Sequence, residues 1–287
     1  MQIFKKIREL DGHRKIYFCG VCILSYHKRI KTPDFSYDIM KFMGATHCRN
    51  LCNLVLGSSH GRDGFVPGKY DFNLSNSSLD LYRIWHLYKY VAEHNNKDLK
   101  NIIVFWSVFH PGLQLEKTRE WTNCIPYKGL YGIEYASPLP MNDEFSINML
   151  NKQAAGFVCP PNFRGKSNYS KGHNTKTDVL VQKHLKNTMR NNNQIKYMAN
   201  IVKLARKRGH NVFVVLPLYR SDYLRCLPPD SVVYRELFEF LNKNQDVALL
   251  NFQNDSRFAD SDFNSPDHCN EVGGRKLTKL IKNAIGD

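Results

Sequence analysis

The sequence lacks a long apolar run. A helix that crosses a bilayer needs roughly 18 or more consecutive apolar residues, whereas the longest apolar stretch near the N-terminus, residues 16–24, is shorter and is interrupted by Gly20. This stretch also lacks the charge layout and the small-residue cleavage site of a signal peptide. We therefore expect a cytoplasmic protein, with the inner face of the membrane as the alternative location.

Acidic residues are also scarce, with 26 Asp and Glu against 41 Lys and Arg, which gives a net charge of +15. The excess is uneven: residues 1–50 hold ten basic and four acidic residues, and residues 161–210 hold twelve and one. Such a field attracts anions. Nucleic acid is not the expected partner, because zinc fingers, RNP-like aromatic signatures and groove-reading basic repeats are absent. An anionic membrane leaflet, an acidic glycan, the phosphates of an acyl-CoA or a simple solvated basic face remain open.

The eight cysteines do not indicate a disulfide framework, because a chain of 287 residues with 42% hydrophobic content can build a core without one. Cys19, Cys22, Cys48 and Cys52 could be combined into a four-thiolate zinc site. However, the first pair lies in a strand-like apolar run and not in a loop knuckle. We expect no metal site and free, mostly buried thiols.

Alternating apolar strands and amphipathic helices predict an α/β fold with a parallel sheet between two helical layers. Strands are indicated at residues 54–56, 70–74, 101–109, 211–216 and 247–252, and a long helical stretch at about 177–208 is predicted to break at Asn191–Asn193. We expect an N-terminal basic β-ribbon extension over residues 1–50 and an α/β domain over residues 51–287. The ribbon is expected to bend at Gly20 and to pack on the domain edge, with docking on a membrane or a partner as the alternative.

Residues 113–175 lack strong periodicity and are predicted to be a long irregular insertion in the α/β domain. We assign this insertion to acceptor recognition. Trp121, Tyr127 and Tyr131 suit stacking on a sugar ring, and plain packing of the insertion explains them equally well.

Residues 53–61, Asn-Leu-Val-Leu-Gly-Ser-Ser-His-Gly, predict a buried strand that stops at a tight turn. The turn after the first strand of an open α/β sheet faces the ligand crevice, and Gly57 and Gly61 let the backbone bend there. Ser59 is the candidate nucleophile. A phosphate-cradling loop or a helix-capping turn is the alternative interpretation.

A serine nucleophile needs a base and an orienting carboxylate. The segment from Asp262 to Gly274, before the last helix, offers His268 as the base and Asp267 or, as the second choice, Asp262 as the acid. His110 follows the carboxyl end of the run 101–109, so we include it as a secondary candidate for substrate contact.

The blocks Gly57-Ser58-Ser59 and Asp267–Gly273, with a strand-proline-loop pattern at 212–223, resemble the SGNH (GDSL-like) hydrolase and acyltransferase superfamily. The likeness covers roughly residues 50–287, and it is greatest to members found with bacterial surface-polysaccharide biosynthesis. It implies a three-layer, flavodoxin-like fold and a Ser59–His268–Asp267 triad. It also implies acyl, typically acetyl, transfer to a hydroxyl of a capsular or lipopolysaccharide glycan.

The sequence departs from the superfamily pattern at three places. Ser265 stands where an Asp commonly precedes the catalytic histidine, residues 73–78 lack the glycine that usually contributes an oxyanion donor, and residues 105–110 lack the usual asparagine. Ser77 and Ser107 are therefore our candidates for additional oxyanion donors, beside the backbone N–H of Ser59.

We expect acetyl-CoA as the donor co-substrate, no bound cofactor, and an acidic or neutral bacterial polysaccharide as the acceptor. An esterase or deacetylase at the same site, a non-catalytic glycan-binding protein on the same fold, and a glycosyl- or phosphoryl-transferring enzyme are the alternatives.

Overall fold

The N-terminal residues form a small antiparallel sheet. In the computed structural model of the chain, which describes residues 3–28, 32–94, 97–169, 175–188 and 193–287, its strands are β1 (Phe4–Arg8), β2 (His13–Phe18) and β3 (Val21–His27). Cys19 and Gly20 both have positive φ angles, as a two-residue hairpin turn requires. The predicted bend at Gly20 is therefore confirmed, and β1 is an additional strand that the sequence pattern did not indicate.

This sheet, which we call the N-terminal sheet, is largely exposed. All seven residues of β3 are exposed, and the side chains of Phe4, Phe18 and Val21 keep 45–66% of their surface accessible. Leu10, in the loop between β1 and β2, packs against the body of the protein. The sheet therefore contacts the body of the protein at the end that carries Leu10, while β3 remains in solvent.

The remaining elements alternate between helices and strands. In chain order they are α1 (Ser36–His47), β4 (Asn53–Gly57), α2 (Ser59–Gly64), β5 (Asp71–Asn73), α3 (Leu81–Glu93), β6 (Asn101–Phe105), α4 (Ile125–Tyr131), α5 (Glu144–Ala155), α6 (Thr177–Thr188), α7 (Ile195–Arg208), β7 (Asn211–Leu216), α8 (Ser221–Cys226), α9 (Asp230–Val233), α10 (Arg235–Lys243), β8 (Ala248–Asn251), β9 (Phe263–Ser265), β10 (His268–Cys269) and α11 (Glu271–Ile285).

Across the described residues, the main sheet has five parallel strands in the order β5-β4-β6-β7-β8. Because successive side chains of a strand point to opposite faces, Leu54 and Leu56 pack with α3 and α7 while Val55 packs with the C-terminal helix α11. The sheet therefore has a helical layer on each side. The predicted three-layer α/β class is confirmed.

The predicted insertion at about 113–175 contains the two short helices α4 and α5. Trp121 and Leu150 from this segment form a separate apolar cluster with Phe35 and Ile39, which lie next to or on α1. The predicted long helix at 177–208 is divided into α6 and α7. Of the residues predicted to break it, Asn191 and Asn192 lie outside the described residues. None of the described helices combines the length and the apolar character needed to cross a bilayer.

Candidate active site

The turn between β4 and α2 presents Ser59. Gly57 ends the strand with φ near +152°, and a Cβ at this position would lie 2.7 Å from Cβ of Phe105 on the neighbouring strand. Ser58 caps α2, accepting a hydrogen bond from the backbone N–H of His60. Ser59 is the first residue of the helix, where backbone N–H groups have no intrahelical partner. Its own N–H is thus available to a ligand atom at the end of the sheet.

The C-terminal segment brings His268 to this turn. The Nε2 atom of His268 lies 2.7 Å from Oγ of Ser59, although the two residues are 209 positions apart in the chain. Helix α11 follows His268 and packs directly on α2, because Gly274 has no side chain: a Cβ there would lie 2.5 Å from the carbonyl oxygen of Asp63. The pairing of the two sequence blocks therefore depends on close contact between the first helix of the α/β core and the last.

Asp267 holds the other side of the imidazole. Its Oδ1 atom lies 2.9 Å from Nδ1 of His268 and accepts a hydrogen bond of 2.8 Å from the hydroxyl of Ser265. Asp267 lies in the two-residue turn between β9 and β10, which allows its side chain and that of His268 to face each other. The structure therefore brings together Ser59, His268 and Asp267.

Asp262, the second choice for the acid, is engaged elsewhere. Its carboxylate accepts hydrogen bonds from Nζ of Lys276 at 2.8 Å and from the backbone N–H of Ala259 at 2.9 Å. It caps the short turn before β9 and ties it to α11. The suggestion that Asp262 orients His268 is therefore wrong.

Asp267 faces two further imidazoles. Nε2 of His60 lies 3.5 Å from its Oδ2 atom, a long contact, and Nε2 of His184 lies 4.0 Å away. Burial alone would raise the pKa of Asp267, but hydrogen bonding to His268 and His60 outweighs it and holds the pKa well below its usual range. Burial lowers the pKa of His60 and brings that of His184 to about 3. The acid is therefore ionised and its two additional neighbours are neutral.

Ser107 connects His60 to the nucleophile turn. Its hydroxyl lies 2.7 Å from Nδ1 of His60 and 2.7 Å from the hydroxyl of Ser58. If Nε2–H of His60 points to Asp267, Nδ1 must accept from Ser107, which in turn accepts from Ser58. This chain of hydrogen bonds is buried behind Ser59. Ser107 thus supports the site through these two contacts, and its role as an oxyanion donor stays a prediction.

The other secondary candidates also have partners within the protein. His110 is fully buried: its Nδ1 accepts from the backbone N–H of Ser107 and its Nε2 donates to the carbonyl of Leu79. The prediction that His110 contacts substrate is therefore wrong. Ser77 is partly buried and its hydroxyl accepts a 2.7 Å hydrogen bond from Nη1 of Arg62. The structure does not bring Ser77 into a hydrogen bond with Ser59.

The cysteines are distributed differently from the expectation. Only Cys124 and Cys269 of the eight are buried, while Cys19, Cys22 and Cys226 are exposed. The expectation of mostly buried thiols is wrong. Cys19 and Cys22, for example, are exposed because they belong to the N-terminal sheet and its hairpin turn. Elsewhere, His60, Asp267 and His268 offer potential metal-ligand atoms within 4.8 Å of one another, but the hydrogen bonds among these groups describe an acid–base arrangement.

A cavity of about 680 Å³ opens beside α2. Arg62 lines it and lies three residues after Ser59, hence on the same face of the helix. Its guanidinium makes a two-point contact with the carboxylate of Asp63, at 2.8 and 2.9 Å. Tyr127 from the insertion lines the same cavity, whereas Trp121 is buried in the apolar cluster with α1.

Two histidines of the site, His60 and His184, were not among the candidates from sequence. For His60 a signal was present, since it directly follows Ser59 in the same glycine-bounded turn. For His184 there was none: it lies in the middle of α6, and only the packing of that helix on the sheet brings it to Asp267.

No protein-family model and no curated protein matches this chain. One solved structure with a similar fold is that of a Bacteroides fragilis NCTC 9343 protein whose assignment as an acylhydrolase is provisional. The similarity covers 90% of this chain and 98% of that chain, with 7% sequence identity and a TM-score of 0.44. At these values the likeness carries no argument about function, which must come from the geometry of the site.

Proposed function

We propose that the protein transfers acyl groups with Ser59 as the nucleophile, His268 as the general base and acid, and Asp267 as the residue that orients His268. One observation carries the proposal: the 2.7 Å contact between Ser59 Oγ and His268 Nε2, with the opposite ring nitrogen 2.9 Å from a carboxylate. Nucleophile, base and orienting acid in hydrogen-bond reach of one another are the signature of covalent catalysis by a hydroxyl.

The chemistry proceeds in two halves. In the first half, Oγ of Ser59 attacks the acyl carbonyl while His268 takes its proton, and the protonated imidazole then donates that proton to the leaving thiolate or alkoxide. In the second half, His268 takes a proton from the acceptor hydroxyl as that oxygen attacks the acyl-serine. Ser59 leaves and recovers the proton, so the acyl group has moved from donor to acceptor with no net change at the protein.

The oxyanion that forms in each half is assigned to the backbone N–H of Ser59 at the start of α2. A single donor of this kind contributes about 3 kcal/mol of barrier lowering.

We further propose acetyl-CoA or another acyl-CoA as the donor and a hydroxyl of an acidic or neutral bacterial capsular or lipopolysaccharide glycan as the acceptor. Support comes from the net charge of +15, which suits anionic substrates, and from the sequence resemblance described above. Action in the cytoplasm, at or near the inner face of the membrane, is part of the same proposal.

Purified protein incubated with acetyl-CoA, with and without an acidic capsular oligosaccharide, tests this function by release of free CoA thiol. We expect release that depends on the acceptor and is lost in Ser59→Ala. Ser256→Ala, which removes the hydroxyl of an exposed loop serine, is the matched control and should keep full activity. Thiol release that persists in Ser59→Ala would overturn the assignment of the nucleophile.

The same assay separates the alternatives. Turnover of p-nitrophenyl acetate that needs no acceptor but is lost in Ser59→Ala would identify an esterase or deacetylase. Oligosaccharide binding that survives in both Ser59→Ala and His268→Ala, without turnover of any ester, would identify a non-catalytic glycan-binding protein.

A further inference from the structure

The cavity beside α2 has walls from two parts of the chain that lie outside the α/β core. The N-terminal sheet contributes Arg8 and Arg14, the insertion contributes Tyr127, and α1 and α2 contribute Tyr37 and Arg62. At about 680 Å³ its volume is in the range of sites for small ligands. The cavity is therefore large enough to hold a small ligand or part of a larger one, next to the residues of α2 that include Arg62.

Two arginines face each other across the N-terminal sheet. Arg8 on β1 and Arg14 on β2 are directly opposite in the antiparallel register, so both side chains lie on the same face of the sheet, and both line the cavity. Like charges directly opposite one another destabilise a pair of strands. We call these two residues the arginine pair.

Neither charge of the arginine pair is balanced within the described residues. Nη1 of Arg14 donates to the backbone carbonyls of Glu9 and His13, at 2.8 and 3.0 Å, and no carboxylate lies within 4 Å of either guanidinium in that part of the chain. A sheet that carries two opposed, uncompensated guanidinium groups is best explained by an anion that they share.

The acids that line the same cavity do not fill this role. The carboxylate of Glu9 lies 3.7 Å from Nζ of Lys15, that of Asp34 accepts a 2.6 Å hydrogen bond from the hydroxyl of Ser36, and that of Asp38 accepts a 2.8 Å hydrogen bond from Asn76. Arg62 has its own partner in Asp63. These contacts of the acids therefore go to groups other than the arginine pair.

We propose that the arginine pair binds an anionic group of the substrate, a carboxylate or a phosphate, in the cavity beside α2. Guanidinium groups bind both anions through paired, charge-assisted hydrogen bonds. The inference rests on the proposed function for its biological meaning, since an acyl-CoA donor carries phosphates and an acidic glycan carries carboxylates. The binding itself is independent of any reaction.

The test measures binding to the Ser59→Ala protein by isothermal titration calorimetry with three probes: CoA, a uronic-acid oligosaccharide, and a neutral oligosaccharide of the same length. We expect one anionic probe to bind and Arg8→Gln to weaken that binding about tenfold or more, because a hydrogen bond to a charged group is lost. Binding of CoA assigns the anion to donor phosphate, and binding of the uronic-acid probe assigns it to acceptor carboxylate.

Lys5→Gln is the matched control. Lys5 lies on the same strand as Arg8 and is also exposed, but its side chain points to the opposite face of the sheet, opposite Tyr17. Lys5→Gln removes the same charge as Arg8→Gln. Because Lys5 lies on the other face of the sheet, we expect its replacement to change the affinity less than twofold. If Arg8→Gln and Lys5→Gln weaken binding equally, the anion is attracted by the overall positive charge and not by the arginine pair, and the proposal is overturned.

Thermal unfolding of the unliganded variants supplies a second measure. Arg8→Gln removes the repulsion across the strands, so it should be at least as stable as the parent protein while losing the stabilisation by the anionic probe. Absence of binding by both anionic probes would also overturn the arginine-pair proposal, whether or not the wild-type protein turns over esters. Conversely, Arg8-dependent binding without any turnover would leave the subsite standing and reject the proposed function.

Discussion

Moving the acid of the triad by two residues provides a stringent test of the site. Asp267→Asn replaces the carboxylate 2.9 Å from Nδ1 of His268 with an amide that no longer selects the required tautomer of the imidazole. In a serine protease triad the same change costs about 10⁴-fold in turnover. We expect kcat/KM for p-nitrophenyl acetate to fall about 10³- to 10⁴-fold, equivalent to about 4 to 5.5 kcal/mol.

The structure also predicts how to restore part of this loss. The hydroxyl of Ser265, at the position where the resembling superfamily has its acid, lies 3.3 Å from Nδ1 of His268, so an aspartate side chain there can reach the ring. In the Asp267→Asn background, Ser265→Asp should raise kcat/KM about 10- to 100-fold, because the new carboxylate would again orient the imidazole of His268 and select its tautomer. In the wild-type background the same change buries a second carboxylate beside Asp267, and it should lower stability and activity.

Asp262→Asn is the control, because it removes a carboxylate from the same loop that is bonded to Lys276. Its kcat/KM should stay within about threefold of wild type, in keeping with the small contribution of a partly exposed ion pair. Circular dichroism and thermal unfolding confirm that each variant is folded. A folded Asp267→Asn protein that keeps more than a tenth of its activity would refute the role of Asp267. So would equal losses in Asp267→Asn and Asp262→Asn.

Three further outcomes can be measured. His60→Phe fills the volume of the imidazole but leaves the hydroxyl of Ser107 without its 2.7 Å partner. The free energy of unfolding in urea should therefore fall by about 1 to 3 kcal/mol, and kcat/KM should fall about tenfold. Unchanged values would show that the hydrogen-bond chain through Ser107 does not support the site. Burial lowers the pKa of Lys41 from 10.5 to about 7. Between these two pH values the unfolded chain holds a proton on Lys41 that the folded protein lacks, so the free energy of unfolding should rise as the pH is raised from about 7 to 10.5. Lys41→Met should abolish that rise. A rise that persists in urea titrations of this variant would assign it to another group. Gly57→Ala places a Cβ 2.7 Å from Cβ of Phe105, so it should lower the free energy of unfolding by about 1 to 3 kcal/mol and displace the nucleophile turn. Wild-type thermal unfolding together with wild-type activity would contradict this prediction.

The apolar runs of the sequence predict the main sheet well, because a buried parallel strand is apolar on both faces and its signal is local. The strands at 53–57, 101–105 and 211–216 lie where those runs occur. The same holds for the turn at Gly20 and for Ser59 and His268, which were proposed from short blocks at either end of the chain. In each case neighbouring residues alone carry the information.

The acid and the secondary residues of the site could not be read in this way. Both Asp262 and Asp267 flank the histidine in sequence, and only the turn between β9 and β10 decides that Asp267 faces the ring while Asp262 turns to Lys276. Ser107 and His110 follow a strand end that was expected to face ligand, yet both side chains are fully buried.

The sequence by itself therefore determined the class of fold, the strand that leads to the nucleophile and the two residues proposed to share a proton, since each depends on local pattern and residue type. The tertiary structure alone decided which carboxylate meets His268, that His60 and His184 lie next to that carboxylate, and that Arg8 and Arg14 line the cavity beside α2. These depend on which elements pack together. Some of these contacts, such as that between His60 and Asp267, join residues more than two hundred positions apart, and no local pattern in the sequence predicts them.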